Sequence, residues 1–279
     1  MTHIAGEKLS SVLPELLRVS HEAGAAILDV YNSDFAVEQK DDRSPLTLAD
    51  RRSHEIIADR LASLQAFNLP ILSEEGRTIS YDERKGWNIF WLVDPLDGTK
   101  EFVKRNGEFT VNIALIQNGQ PILGVIYIPV KNIFYFAAED LGAYKLENSS
   151  MRSLNSLEVI LNASVMLPHI THHASRITVI SSRSHMSPET EQFINDLKTR
   201  YHEVDFLAAG SSLKFCLIAE GRADVYPRFG PTMEWDTAAG QAIVEQAGGR
   251  VLRAGSQEPL FYNKEDLLNP SFIVTAQTV

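Results

Sequence analysis

The spacing of apolar residues predicts two amphipathic helices in the first quarter of the chain. One covers about residues 7–31 and the other residues 48–64, with Thr47 as the N-cap of the second. The polar segment at 33–45 is typical of a loop or hairpin. The apolar positions of the two helices are Leu13, Leu16, Leu17, Ala23, Ile27 and Val30, then Ile56, Ile57, Leu61 and Leu64.

The next segments are rich in β-forming residues. We predict strands at residues 70–73, 89–93, 109–117, 121–129 and 133–138. Asn118-Gly119 between two of them is a strong hairpin signal, so the last three strands are expected to form an antiparallel meander.

Strands and helices alternate in the second half of the chain. The predicted strands are 177–181 and 224–226, and the predicted helices are 188–199, 212–220 and 236–247. The sequence thus predicts an α+β fold, an antiparallel sheet half followed by a mixed α/β half. The Ser- and Asn-rich segment 145–172 marks the division into an N-terminal part, residues 1–165, and a C-terminal part, residues 166–279.

Composition narrows the class of protein. The 279 residues carry a net charge of −10, which disfavours a nucleic-acid-binding surface. The one cysteine, Cys216, cannot form an internal disulfide, as expected in a reducing cytoplasm. Residues 1–10 lack the pattern of a signal peptide, and no apolar run approaches the ~18 residues of a membrane span. We therefore expect a cytoplasmic protein.

The most informative motif is Asp-Pro-Leu-Asp-Gly-Thr at residues 94–99, directly after the apolar run 89–93. Pro95 restricts the backbone, so the two carboxylates are expected on a rigid bend at the end of a buried strand. Gly98 has no Cβ where the backbone must approach a ligand, and Thr99 opens the next segment. Such a bend suits divalent cations and a phosphate that bridges them. The alternative is a turn in which the aspartates only cap backbone donors.

Further acidic residues are candidates for the same site. Glu74 and Glu75 follow a predicted strand, Asp236 starts a predicted helix, and Asp50 lies near the start of another. The alternative roles are an N-cap for Asp236 and a solvated first-turn acid for Asp50. Carboxylates gathered closely raise one another's pKa and stay ionised at neutral pH only beside cations. Oxygen-only ligands favour Mg²⁺ over Zn²⁺.

In this order the motifs resemble those of the inositol monophosphatase superfamily, Mg²⁺-dependent and lithium-sensitive phosphatases. Within it they are similar to the CysQ branch of 3′(2′),5′-bisphosphate nucleotidases. The resemblance implies the layered αβαβα sugar-phosphatase fold. The matching segments are Ser44-Pro45-x-Thr47-x-x-Asp50, Ser73-Glu74-Glu75, 91–102, 105–109, 182–185, 210–215, 226–230 and Trp235-Asp236-x-Ala-Ala-Gly240.

The resemblance also implies how the metal ions are held. One Mg²⁺ would be bound by Glu74, Asp94 and the backbone carbonyl of Leu96. A second would be bound by Asp94, Asp97 and Asp236, with Asp94 bridging the two. A third ion is left open, so two or three ions are expected in the site.

The catalytic roles come from the same resemblance. Thr99, hydrogen-bonded to Asp50, would form a relay that accepts a proton from the attacking water, while Glu74 positions that water. The amides of Gly98 and Thr99 would donate to the scissile phosphate, which Asp236 also adjoins.

A second phosphate requires a cationic pocket in the C-terminal half. Ser211 and Lys214 lie three apart and so on one face of the predicted helix, while Arg228 and His185 follow predicted strands. The resemblance assigns these four residues to the other phosphate of the nucleotide. A solvated Lys214 and a core His185 are the alternatives.

The implied function is hydrolysis of the 3′-phosphate of adenosine 3′,5′-bisphosphate to AMP and phosphate, in sulfur assimilation and nucleotide recycling. Action on 3′-phosphoadenylyl sulfate is left open, as is peripheral attachment to the cytoplasmic side of the inner membrane. Two alternatives remain: an inositol monophosphatase or other sugar phosphatase of the superfamily, and a non-catalytic cation or nucleotide sensor.

Overall fold

The computed structural model describes residues 6–33, 45–64, 67–147, 154–168, 176–181 and 187–276, which form two sheets with helices between and outside them. The helices are α1 Gly6–Tyr31, α2 Pro45–Ser63, α3 Tyr81–Arg84, α4 Thr99–Val103, α5 Leu157–Asn162, α6 Pro188–Arg200, α7 Leu213–Ala219 and α8 Glu234–Gln246. The strands are β1 Ile71–Ser73, β2 Ile89–Asp97, β3 Thr110–Gln117, β4 Gln120–Ile128, β5 Ile133–Ala138, β6 Gly142–Glu147, β7 Val165–Leu167, β8 Arg176–Ser181, β9 Glu203–Ala208, β10 Val225–Arg228, β11 Arg250–Arg253 and β12 Phe272–Thr275.

The first sheet runs in chain order from β1 to β7, and the predicted meander is confirmed. Strand β1 is parallel to β2, while each later neighbour is antiparallel. Asn118 and Gly119 connect β3 to β4 with φ angles of 51° and 75°, as a two-residue hairpin turn requires. The parallel pairing brings the carboxyl ends of β1 and β2 to the same edge.

The two faces of β2 are both buried, which explains its apolar sequence. Trp91 and Val93 pack against the layer formed by α1 and α2, whereas Phe90 and Leu92 face α7 and α8. The second sheet, in the order β11-β12-β10-β8-β9, covers the other side of α7 and α8. Helix α6 packs on its outer face. The five layers confirm the predicted αβαβα architecture.

Two local predictions are wrong, for identifiable reasons, and one alternative role is excluded. Helix α2 begins at Pro45, a residue that suits the first helical turn because its missing N–H needs no partner there, so Thr47 is inside the helix. Helix α8 begins at Glu234 with Met233 as N-cap, which makes Asp236 its third residue. Asp50 is not a solvated first-turn acid, because its side chain is only 6 % exposed.

The short strands β6, β7, β9, β11 and β12 had no clear sequence signal, since each depends on pairing with a neighbour. The predicted division at 165/166 falls inside β7, which pairs with β6 of the first sheet. This pairing places residues 165–167 in the first sheet, and the division into two parts stays a prediction. Most of the predicted loop 33–45 lies outside the described residues. None of the described helices combines the length and apolarity needed to cross a bilayer.

Candidate active site

A β-bulge carries the two aspartates of the central motif. The predicted strand ends at residue 93, but β2 continues to Asp97 and has a register shift between Asp94 and Asp97. Asp94 lies opposite Asn112 and Asp97 opposite Thr110, so β2 has one residue more than β3 between these pairs. Pro95 has no N–H for the ladder, and its carbonyl accepts a hydrogen bond of 2.8 Å from Ser53 Oγ.

Three carboxylates converge beside this bulge. Oxygens of Glu74, Asp94 and Asp236 all lie within 4.8 Å of one another. The pairing of β1 with β2 explains the first two, because the Glu74 N–H donates to Val93 O at 3.2 Å. Helix α8 presents Asp236 from the inner layer, and Met233 N–H donates to its Oδ2 at 2.9 Å. The predicted convergence of these three residues is therefore observed.

Asp97 is bound differently from the other acids. Its Oδ2 accepts hydrogen bonds from Ser211 Oγ, Ser212 N and Ser212 Oγ at 2.6, 2.7 and 2.8 Å. Among the described residues, the close group of carboxylates does not include it. These donors engage one oxygen of Asp97 and not Oδ1, so its predicted role as a ligand depends on Oδ1 and stays a prediction.

Asp50 and Thr99 approach the site from α2 and α4. Asp50 Oδ1 is buried and has no hydrogen-bond partner within the described part of the chain. Thr99 begins α4 after Gly98, whose φ is 97°. A Cβ at Gly98 would lie 3.1 Å from Ser211 Cβ, so glycine serves both the backbone angle and the packing. The described residues show no hydrogen bond between Thr99 and Asp50, so the predicted relay is not formed in this structure.

The acids perturb one another's ionisation. Burial, followed by the charges of Glu75 and Glu74, raises the pKa of Asp50 to about 8. Burial and the charge of Asp97 raise the pKa of Asp236 to about 7. The same two causes raise the pKa of Asp94 well above its ordinary value. A bound cation would remove this repulsion, so the residues present fit a divalent metal site.

The pKa shifts predict how stability responds to pH and Mg²⁺. Because the pKa values of these acids are raised on folding, the folded protein binds more protons than the unfolded chain between about pH 4 and 8. The free energy of unfolding of the metal-free protein should therefore fall as pH rises through that range. Mg²⁺ at a hundred times its dissociation constant should restore about 2.7 kcal/mol, or roughly 5–10 °C in Tm, at pH 8.

Thermal unfolding at pH 5.5 and pH 8, with Mg²⁺ or with chelator, measures both effects. NaCl of equal ionic strength is the control for screening, and it should not reproduce the Mg²⁺ effect. A metal-free Tm that rises between these pH values, or an equal Mg²⁺ effect at both, would contradict the predicted charge crowding.

A cavity of about 590 Å³ opens beside the acids, and several residues of the predicted phosphate pocket line it. Lys214 is half-buried, its Nζ donates to Ser211 O at 3.0 Å, and burial lowers its pKa. Arg228 Nη2 donates to Pro231 O at 2.9 Å, while its Nε is buried without a partner among the described residues. The cavity is lined by Asp97, Gly98, Thr99, Ser211, Lys214, Tyr226, Arg228 and Asp236, among others.

Two predictions about this pocket need correction or stay open. Ser211 is not on a helix with Lys214, because it has a φ of 51° and precedes α7. It still meets Lys214, through its carbonyl oxygen. His185 lies outside the described residues, so its predicted role is untested.

Sequence reasoning missed the buried polar residues beneath Asp97. Thr110 and Asn112 lie on β3, and Ser212 caps α7. Their hydrogen bonds connect β3 to Asp97. The signal was present, because Thr110 and Asn112 are polar residues on the inner face of an otherwise apolar strand.

Comparison with known proteins agrees with the fold. The inositol monophosphatase family model matches residues 8–278, so the chain belongs to that family. The chain is 44% identical to the 3′(2′),5′-bisphosphate nucleotidase CysQ of Shigella flexneri, over 95% of this chain and 99% of that protein. It is 43% identical to CysQ of Escherichia coli K12, with the same coverage.

Solved structures give the same relationship. The crystal structure of CysQ from Bacteroides thetaiotaomicron has a TM-score of 0.85 and 49% identity, covering 95% of this chain and 98% of that one. Inositol monophosphatase-II from Staphylococcus aureus has a TM-score of 0.72 at 20% identity, covering 95% of this chain and 90% of that one. The second likeness supports the fold alone.

Proposed function

We propose that this chain is a Mg²⁺-dependent 3′(2′),5′-bisphosphate nucleotidase that converts adenosine 3′,5′-bisphosphate to AMP and phosphate. The observation that best supports this proposal is that one cavity is lined both by Asp236 of the acidic cluster, with the neighbouring Asp97, and by Lys214 and Arg228. A substrate with two phosphates uses both ends of this cavity, and the CysQ relatives bear the name of this activity. The enzyme would act in the cytoplasm, in sulfur assimilation and nucleotide recycling, with 3′-phosphoadenylyl sulfate a further candidate substrate.

The acidic cluster would hold the metal ions. Glu74, Asp94 and the carbonyl of Leu96 would bind one Mg²⁺, and Asp94, Asp97 and Asp236 a second. The described side chains of this cluster offer only oxygen, which favours Mg²⁺ over Zn²⁺. When bound, the ions would polarise the phosphoryl group and offset charge on the departing oxygen. Lithium would inhibit by competing for the same oxygen-lined positions.

The remaining chemistry belongs to side chains around the cluster. The unpartnered Asp50 Oδ1 is available to accept a hydrogen bond from the Thr99 hydroxyl or from water, as a proton acceptor requires. Closure of the Thr99–Asp50 hydrogen bond would then accompany substrate binding. Glu74 would orient the attacking water, and the amides of Gly98 and Thr99 would donate to the phosphate.

The other phosphate of the nucleotide would lie between Lys214, Arg228 and Ser211, with His185 as a further donor. The buried Nε of Arg228 supports this assignment, because a buried guanidinium N–H without a partner calls for an acceptor. Lys214 supplies a positive charge beside it, and Lys214 Nζ lies 5.6 Å from the centroid of the Tyr226 ring. A monophosphate substrate would leave these groups unused.

Replacing Lys214 or Arg228 by Ala tests the substrate. Each charge-assisted hydrogen bond contributes about 1.5–3 kcal/mol, so KM for adenosine 3′,5′-bisphosphate should rise by roughly 10–100-fold. The KM for inositol monophosphate should not change. Steady-state phosphate release with both substrates measures this, and Arg222→Ala, an exposed arginine outside this cavity, is the matched control.

Two results would favour the alternatives. Equal losses on both substrates, or faster turnover of inositol monophosphate by the unaltered protein, would indicate a sugar phosphatase. Tight nucleotide binding without Mg²⁺-dependent hydrolysis would indicate a sensor.

A further inference from the structure

Two buried polar residues of β3 lie directly opposite the acids of the bulge. Thr110 pairs with Asp97 and Asn112 with Asp94 in the β2–β3 ladder. Both point to the inner face, which continues with the apolar Ala114, and they are 0 % and 1 % exposed. Polar groups so deeply buried are costly unless they are hydrogen-bonded, so their partners indicate what they do.

Their hydrogen bonds form a chain that leads to Asp97. Thr110 Oγ1 donates to Asn112 Oδ1 at 2.9 Å, and Asn112 Nδ2 donates to Ser212 Oγ at 2.9 Å. Ser212 Oγ in turn lies 2.8 Å from Asp97 Oδ2 and 2.9 Å from the carbonyl oxygen of Asp236. Thr110 Oγ1 also lies 2.7 Å from Ser211 Oγ, a contact in which either hydroxyl can be the donor, and Ser211 Oγ lies 2.6 Å from the same Asp97 oxygen.

The number of available protons gives this chain a direction. The Ser212 hydroxyl has one proton, and the amide of Asn112 already occupies an acceptor position of its oxygen. The hydroxyl must therefore donate towards Asp97 or the Asp236 carbonyl, both of which can only accept. The Asn112 amide can donate to Ser212 with its nitrogen and accept from Thr110 with its oxygen. An ionised carboxylate in the place of Asn112 could only accept, so it could not donate to Ser212.

We infer that Asn112 is a positioning residue that, through Ser212, holds Asp97 Oδ2 away from the metal cluster and leaves Oδ1 to bind the second Mg²⁺. The inference rests on the proposed function only in taking Asp97 as a metal ligand. Thr110 acts one step further back, by fixing the orientation of the Asn112 amide. Groups that orient ligands in this way typically contribute 10–100-fold to metal affinity.

Asn112→Asp tests this role, because it keeps the shape of the side chain and replaces the amide donor with an oxygen. Isothermal titration of the substrate-free protein with Mg²⁺ should show one site weakened by roughly 10–100-fold and the other little changed. In steady-state assays kcat should fall at low Mg²⁺ and recover at high Mg²⁺, while KM for the nucleotide stays the same. Thr110→Val, of nearly equal volume, should weaken the same site by a smaller factor than Asn112→Asp does.

Tyr135→Phe is the control for loss of a buried hydrogen bond. The Tyr135 hydroxyl donates to Glu220, away from the acids, so this variant should lower Tm without changing Mg²⁺ affinity. If Asn112→Asp does not fold, Thr110→Val decides the question. Unchanged Mg²⁺ affinity in the variants that fold would overturn the inference, even if the protein is a nucleotidase. Selective loss of one Mg²⁺ site would support it, even if the unaltered protein hydrolyses no bisphosphate nucleotide.

Discussion

Asp94→Asn should lower Mg²⁺-dependent phosphate release by more than about 100-fold and, at the same time, raise the Tm of the metal-free protein at pH 8. The loss of activity should exceed the 10–100-fold typical of residues that only orient a ligand, because Asp94 is proposed to bridge both ions. The gain in stability follows from removal of a buried charge among other carboxylates. Phosphate release against Mg²⁺ concentration and thermal unfolding with chelator measure the two effects.

The structure makes this pair of outcomes specific to Asp94. Its side chain is 1 % exposed, and the charges of Asp97, Glu74 and Asp236 all add to the burial that raises its pKa. Asn is of the same size and uncharged, and its Oδ1 would still accept the 3.1 Å hydrogen bond from Leu96 N–H. The local backbone should therefore keep its form while the repulsion is relieved.

Asp224→Asn is the matched control, since Asp224 is half-buried and its Oδ2 accepts a 2.6 Å hydrogen bond from Thr178 N–H outside the acidic cluster. It should leave Mg²⁺-dependent activity unchanged. Retained activity in Asp94→Asn would exclude the cluster as the catalytic metal site. A lower metal-free Tm in that variant would show that the carboxylates do not crowd one another as the structure indicates.

Most of the fold could be predicted from the sequence, because apolar periodicity is a local property and the order of the motifs can be read directly along the chain. The predicted helix at 7–31 and strand at 133–138 match α1 and β5 closely. Short strands such as the edge strand β11 and its neighbour β12 were missed, since a four-residue strand is stable only through its partners. Position within an element was also missed at Asp236, because Met233 takes the N-cap without the side-chain chemistry that usually marks one.

The sequence predicted the candidate residues of the site, but not the strand pairing and hydrogen bonds that place them. The convergence of Glu74 with Asp94 depends on the parallel pairing of β1 and β2, which periodicity alone does not reveal. The bulge at Asp94–Asp97 depends on the register of β2 against β3, in which Asp94 pairs with Asn112 and Asp97 with Thr110. Asn112 could not be distinguished from an ordinary strand residue by sequence, because its partner Ser212 is distant along the chain and meets it only in the folded structure.

Asp50→Asn should lower kcat by roughly 10²–10⁴-fold, the usual contribution of a general base, while KM stays close to that of the unaltered protein and Mg²⁺ affinity falls by much less than kcat. Asn cannot accept a proton from the Thr99 hydroxyl or from water, although it has nearly the same shape. Single-turnover and steady-state phosphate release measure the loss, and titration with Mg²⁺ measures binding. The expected result separates proton acceptance from metal binding, since Asp50 is not in the group of converging carboxylates found among the described residues.

Asp59→Asn, on the exposed face of the same helix α2, is the control and should have no effect on kcat. Near-normal kcat in Asp50→Asn would show that the proton leaves by another route, since no other role is proposed for this carboxylate. A loss of Mg²⁺ affinity as large as the loss of kcat would make Asp50 a metal ligand instead. Burial beside Glu75 raises the pKa of Asp50 to about 8, so at neutral pH the ionised base depends on Mg²⁺ to offset the nearby negative charge. The kcat of the unaltered protein should therefore fall more steeply on acidification at low Mg²⁺ than at high Mg²⁺, and Asp50→Asn should lose that difference.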